Sequence, residues 1–257
     1  MRIDVITLFP EMIEPIGAFG VVGRARLNGL WALNTINPRD FVHDPHKTVD
    51  DRPYGGGPGM VMLASPLREA VWSARDAQRA HPCTHSHVIY LSPSGARLTH
   101  EKVISLYRKT ETGTGLILLA GRYEGVDERF LAQEVDEEIS IGDFVVSGGE
   151  LPALLLMDAL VRQIPGALND AASKEEESFT RGLLDYPHYT RPENYRGMIV
   201  PEVLRSGHHG EIARWRLAQS LHRTLSRRPD LIDARGGLSD AEKALMKEYP
   251  PEIPLKT

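Results

Sequence analysis

Four short apolar runs, at 1–9, 88–91, 116–120 and 138–141, alternate with stretches of helical period, and no other feature narrows the possible folds as far. Near-continuous runs of this length suit strands buried on both faces, as in a parallel sheet covered by helices on each side. Pro10 closes the first run. Ser65-Pro66 offers a cap followed by proline at the first helical position and predicts a helix over 67–80; Thr99 caps one over 100–109. A third is expected over 151–164, closed by Pro165-Gly166. Residues 1–165 are therefore expected to form an α/β domain with a parallel sheet.

Residues 166–178 hold small side chains and then the charge run Lys174-Glu175-Glu176-Glu177, without an apolar period, and read as a flexible interdomain linker. Residues 179–257 read as a small C-terminal helical domain with helices over 210–228 and 239–249. In the first of these Leu217, Leu221 and Leu225 fall on one face. Arg216, Arg223 and Arg227 lie within roughly 40° of one another on a different face.

Charge is distributed unevenly between these parts. The chain carries −5 formally, but 179–257 holds 13 Lys and Arg against 10 Asp and Glu, and 205–228 holds six Arg and the single acid Glu211. A local basic patch is the footprint that phosphate contacts need. Asp4 interrupts any N-terminal signal sequence, the longest apolar stretch, 151–157, is too short to span a bilayer, and the lone Cys83 suits a reducing compartment. A cytoplasmic protein with no membrane segment is expected.

Three glycine-bearing loops follow predicted strand ends: Ser92-Pro93-Ser94-Gly95, Gly121-Arg122-Tyr123-Glu124-Gly125, and Ser140-Ile141-Gly142-Asp143-Phe144-Val145-Val146-Ser147-Gly148-Gly149. One such loop reads first as a tight turn; three in register at the carboxyl ends of parallel strands should converge on one pocket. None has the Lys-Ser/Thr ending of a phosphate-binding loop or the glycine spacing of a dinucleotide fingerprint. With an apolar wall of Leu91, Ile141 and Val146, the exposed backbone suits a purine with a short charged tail, a description that S-adenosylmethionine fits. A fourth cluster, Tyr54-Gly55-Gly56-Gly57-Pro58-Gly59-Met60, reads either as a hairpin or as a place where Gly57 and Gly59 let backbone approach a base.

The second and third of these loops and the fourth cluster, extended to Asp51-Arg52-Pro53, Val126-Asp127-Glu128-Arg129 and Glu150-Leu151-Pro152, together with Ile6-Thr7-Leu8-Phe9-Pro10 and Gly182-Leu183-Leu184-Asp185-Tyr186-Pro187-His188-Tyr189-Thr190-Arg191-Pro192, resemble the bacterial tRNA (guanine-N1)-methyltransferases of the SPOUT class over almost the whole chain. The resemblance implies a deep trefoil knot in the N-terminal domain, against the general rule that chains avoid knots. S-adenosylmethionine would be held by the three loops, with Pro152 included. It also implies a homodimer with active sites at the subunit interface, and a tRNA anticodon stem-loop as partner, methylated on N1 of the guanine immediately 3′ of the anticodon, position 37.

N1 of neutral guanine carries a proton, so the reaction needs a base there and a cation near O6 as negative charge develops. By position among the motifs, the resemblance puts the acid on Glu177, where the family commonly has Asp, and the arginine on Arg162. Asp185 is the alternative base. Glu124 is expected near the reacting centre and is the candidate magnesium ligand. His188, Tyr189 and Arg191, together with Arg216, Arg223 and Arg227, are the candidate RNA contacts. His81, Cys83, His85 and His87 imitate a metal cluster but lack a paired second set at zinc spacing. Two alternatives remain: a related enzyme acting on a ribose 2′-hydroxyl or another base, and a noncatalytic RNA-binding protein.

Overall fold

The computed structural model describes residues 1–168 and 177–252 and divides into two compact units, Met1–Asn169 and Asp170–Thr257. In the first, strands β1 (Arg2–Ile6), β2 (Ala32–Ile36), β5 (His85–Arg97), β6 (Thr114–Leu119) and β7 (Glu137–Ser140) form one sheet in the order β2-β1-β6-β5-β7, parallel at every pairing. Successive side chains leave a strand on opposite faces, and both faces are apolar. Ile89, Leu91, Leu116, Leu118 and Ile139 join one core with helices α2 (Gly20–Leu27), α4 (His100–Glu111) and α6 (Glu150–Val161); Val88, Tyr90, Ile117 and Leu119 join the other with α3 (Ala64–Arg79) and α5 (Glu128–Glu134). The short α1 (Pro10–Ile13) follows β1, and a two-residue hairpin, β3 (Asp50–Asp51) with β4 (Val61–Met62), carries the loop at 52–60.

The alternation of apolar runs and helices thus corresponds to the observed sheet, with three differences of detail. β5 extends far beyond 88–91, because 85–90 pairs with β6 and, after a break at 92–95, Ala96 and Arg97 return to β7. Ile139 consequently faces both Leu91 and Ala96. Helix α3 begins ahead of Ser65, with Leu63 at its cap and no side-chain hydrogen bond there, since leucine has no side-chain acceptor; the Leu63 amide donates to the Val49 carbonyl at 2.8 Å. Pro66 then falls within the first turn, where no intrahelical amide is required. β2, α2 and α5 are additional. Gly166, Ala167 and Leu168, expected in the linker, belong to the first unit, where Ala167 is buried in the core; of the linker, 169–176 lie outside the described residues.

In the second unit, a small hairpin of β8 (Asn194–Tyr195) and β9 (Met198–Ile199) leads through α7 (Glu202–Arg205) into α8 (His209–Arg227), α9 (Pro229–Ala234) and α10 (Asp240–Glu248). A capping box of Ser239 and Glu242 starts α10. Leu183, Leu221 and Ile232 centre the core, and Trp215, Ala218 and Thr224 are buried on α8. Of the expected leucine face only Leu221 is inside; Leu217 and Leu225 are exposed.

Candidate active site

The break within β5 and the turns after β6 and β7 meet at the carboxyl edge of the sheet and, with the start of α6, enclose a cleft of about 240 Å³. Leu91, Ser92 and Pro93 line it from the first of these, residues 121–125 from the second, and Ser140, Ile141, Gly142, Phe144, Val145, Val146, Gly148 and Gly149 from the third, with Pro152 from α6. Tyr90, Ile139 and Ser147 line it as well and were not foreseen. Burial raises the Tyr90 phenol above its usual range, with Glu138 adding to the shift.

Two residues singled out for this pocket do not line it. Gly95 packs against β7, where a Cβ would stand 2.4 Å from the Glu138 carbonyl carbon, so its glycine serves strand packing. Asp143 is almost fully exposed and pairs with Arg97 at 3.3 Å. Gly149 does line the cleft, and a Cβ there would meet the Ala120 Cα at 2.6 Å, so glycine lets the start of α6 pack on the end of β6.

Behind the cleft lies a charge that sequence reading missed. Glu150, at the first turn of α6, has no solvent exposure; one carboxylate oxygen accepts from the Thr7 hydroxyl at 2.8 Å and the other stands 2.8 Å from Arg122 Nε. Arg122 also donates to the Ser147 carbonyl at 3.2 Å and lies over the Phe9 ring at 4.4 Å. One guanidinium therefore ties together the β6 loop, the β7 loop and the end of β1. Removing one partner of a buried ion pair leaves the other charge uncompensated. Glu150→Ala is accordingly expected to cost about 3–5 kcal/mol in urea unfolding, with Glu150→Gln recovering part through the Thr7 contact. An unchanged midpoint for the alanine variant would mean that Phe9 and Ser147 hold Arg122 unaided.

The fourth glycine cluster is stitched to this edge. The Glu124 amide donates to the Met60 carbonyl at 2.9 Å and the Met62 amide to the Gly125 carbonyl at 2.9 Å, while the Glu124 side chain lies where a Gly59 Cβ would be. Gly57 and Gly59 hold φ of +121° and +81°, open to glycine and strained for other residues. Among the described residues no three His, Cys, Asp or Glu side chains gather to hold a metal ion. His87 instead pairs with Glu137 at 3.3 Å from within β5.

Arg162 caps the far end of α6, opposite the end that forms the cleft. Twelve residues separate it from Glu150, about 18 Å at 1.5 Å per residue. No arginine side chain spans that distance.

In the second unit, Glu177 is half-buried and lines a cavity of about 280 Å³ with Arg181, Tyr186 and Arg216. Asp185 differs from it. One carboxylate oxygen accepts from the Tyr186 amide at 2.8 Å and the other lies 2.8 Å from His188 Nε2, so the side chain braces its own loop. Tyr189 packs on Trp215 with ring centroids 6.2 Å apart, and Arg191 is exposed. The expected arginine stripe is only partly at the surface. Arg227 is exposed, whereas Arg216 and Arg223 are half-buried, Arg216 over the Tyr186 ring and Arg223 donating to the Asp185 carbonyl at 3.1 Å. Burial, then the neighbouring Arg227, holds the Arg223 guanidinium below its usual range.

The tRNA (Guanine-1)-methyltransferase TrmD family model matches residues 1–234. A tRNA (guanine-N(1)-)-methyltransferase of Chromobacterium violaceum is 60% identical over 252 residues, covering 98% of this chain and 97% of that one. Proteins of the same description from Nitrosospira multiformis and Aeromonas hydrophila are 56% and 55% identical, over 96% and 98% of this chain and 95% and 98% of their own lengths. With a family match over nine-tenths of its length and relatives of this identity along the remainder, the chain belongs to the TrmD family of tRNA (guanine-1)-methyltransferases.

Proposed function

We propose that this protein transfers a methyl group from S-adenosylmethionine to N1 of the guanine immediately 3′ of the anticodon in tRNA. The observation that carries the reading is the cleft built from three strand-end loops. Leu91, Ile139, Ile141 and Val146 offer apolar walls to a flat purine, and backbone bared at Gly121, Gly142 and Gly148 suits a short polar tail. At Gly121 a Cβ would approach the Tyr90 ring to 2.7 Å, so glycine keeps that wall thin. When bound, the donor supplies an electrophilic methyl on a sulfonium. We further infer that the three loops form the family's deep trefoil knot.

Glu177 takes the N1 proton as attack proceeds, and Arg162 donates to the guanine O6 as charge collects there. The length of α6 sets Arg162 well away from its own chain's cleft, which supports a homodimer in which one protomer's Arg162 serves its partner's cleft. Exposed Leu151 and Leu155, one turn apart on α6, and Met12 on the adjoining α1 give such an interface apolar side chains to bury. Protein side chains near Glu124 do not make a magnesium site by themselves, so any magnesium there takes its other oxygens from RNA and water. A tRNA substrate places the work in the cytoplasm, and among the described residues no helix is long and apolar enough to cross a membrane.

The test is transfer of labelled methyl from S-adenosylmethionine to an unmodified tRNA transcript, with mass mapping of the product. Methyl on N1 of that guanine, lost when the guanine becomes adenine, is the expected result; methyl on a ribose would overturn it.

A further inference from the structure

Two cavities in the C-terminal unit share one stacked pair in their walls. The Arg216 guanidinium stands 4.7 Å from the Tyr186 ring centroid, and both side chains line both cavities. Glu177, Arg181 and Leu184 help wall the first, of about 280 Å³. The second, about 230 Å³, lies among His188, Tyr189 and Trp215.

The pair is held in place from its own loop. His188 packs on Tyr186 with centroids 4.7 Å apart and is fixed by Asp185 at 2.8 Å; the Asp185 amide donates to the Ser178 hydroxyl at 3.0 Å, and its carbonyl accepts from Arg223. Flat π faces and a guanidinium plane are the surfaces on which unpaired bases stack, whatever their identity. Of the six arginines across 205–228, Arg205, Arg214 and Arg228 pair with Glu193, Glu248 and Asp230, so the phosphates such a strand brings with it are met by the exposed Arg227 beside the stacked Arg216. A lipid tail would have no use for the cation, and an anionic small molecule would meet the Glu177 carboxylate.

We propose that Tyr186 and Arg216 act as a wedge between two consecutive unpaired bases of the RNA, one base entering each cavity. The proposal rests on the tRNA-methylation reading and deepens it. Because Glu177 lines the first cavity, the base held there is a close neighbour of the guanine that reacts.

The test uses the full chain and tRNA transcripts in which single anticodon-loop nucleotides, other than the target, are made abasic. Tyr186→Leu is expected to raise KM for intact tRNA roughly ten-fold, the scale of one lost base–aromatic stack, with kcat held within about two-fold. Tyr186→Phe keeps the ring and the wild-type KM. One or two consecutive abasic positions should raise the wild-type KM similarly and add nothing further in Tyr186→Leu, because both changes remove the same contact. Arg216→Lys retains the charge without the plane; it should show the same non-additivity and replaces Tyr186→Leu if that variant unfolds. Losses that multiply independently, an unchanged KM, or no sensitive positions would overturn the wedge. Failure of the wild-type protein to methylate the intact transcript would overturn the underlying reading instead.

Discussion

Glu177→Gln is expected to lower kcat for methyl transfer by about 10²–10⁴-fold, the usual range for losing a positioned general base, with S-adenosylmethionine binding unchanged. Glutamine keeps the shape of the side chain but cannot accept the guanine N1 proton. Raising the pH should restore part of the rate, because guanine then sheds that proton without help. Asp185→Asn is expected to do less to kcat, since both oxygens of that carboxylate already brace the loop through Tyr186 and His188. Single-turnover rates at saturating RNA separate the two. A larger loss from Asp185→Asn, without rescue at high pH for Glu177→Gln, would transfer the role to Asp185.

Arg162→Ala should cost about 10²–10³-fold in kcat, as expected for removing a donor aimed at developing charge. Its diagnostic value lies in mixing. Val146→Trp fills the cleft and should be inactive alone for a different reason. If Arg162 of one protomer serves the other's cleft, a mixed dimer regains one intact site, and randomly assorted subunits should recover about a quarter of wild-type activity. If the mixture stays as inactive as its components, Arg162 does not act across an interface and the dimeric site is wrong.

How far the sequence could be read differs from element to element for physical reasons. β1, β5 and β6 stood out because buried parallel strands are apolar on both faces, β7 at the sheet edge gives the core only Ile139, and three glycine loops at the carboxyl edge pointed to one cleft. β2 has Asn34 and Thr35 within it and lies at the sheet edge, half-exposed for most of its length, so its pattern resembled a loop. Glu150 reads locally as an ordinary acid in the first turn of a helix. Only the fold brings Thr7, 143 positions away, against it and closes the water out. Arg216 and Arg223 looked like a solvated stripe because helical spacing fixes direction along α8 but not what covers it, and the loop of 185–189 covers both. Arg162 was placed by its motif neighbours; its separation from the cleft needed the length of α6.

The strand order also constrains how a ribosome can deliver this protein. β1 and β2 emerge early and pair, but β5, made next, does not add to β1's open edge; that place belongs to β6, which is synthesised later. Until residues 114–119 are available, the growing chain holds a two-stranded piece of sheet and an unpaired β5, both with open apolar edges, the kind of surface that recruits chaperones or other nascent chains. Translation products that stop short of 114 should therefore be insoluble or rapidly degraded, whereas those that stop in the second unit retain a complete central strand.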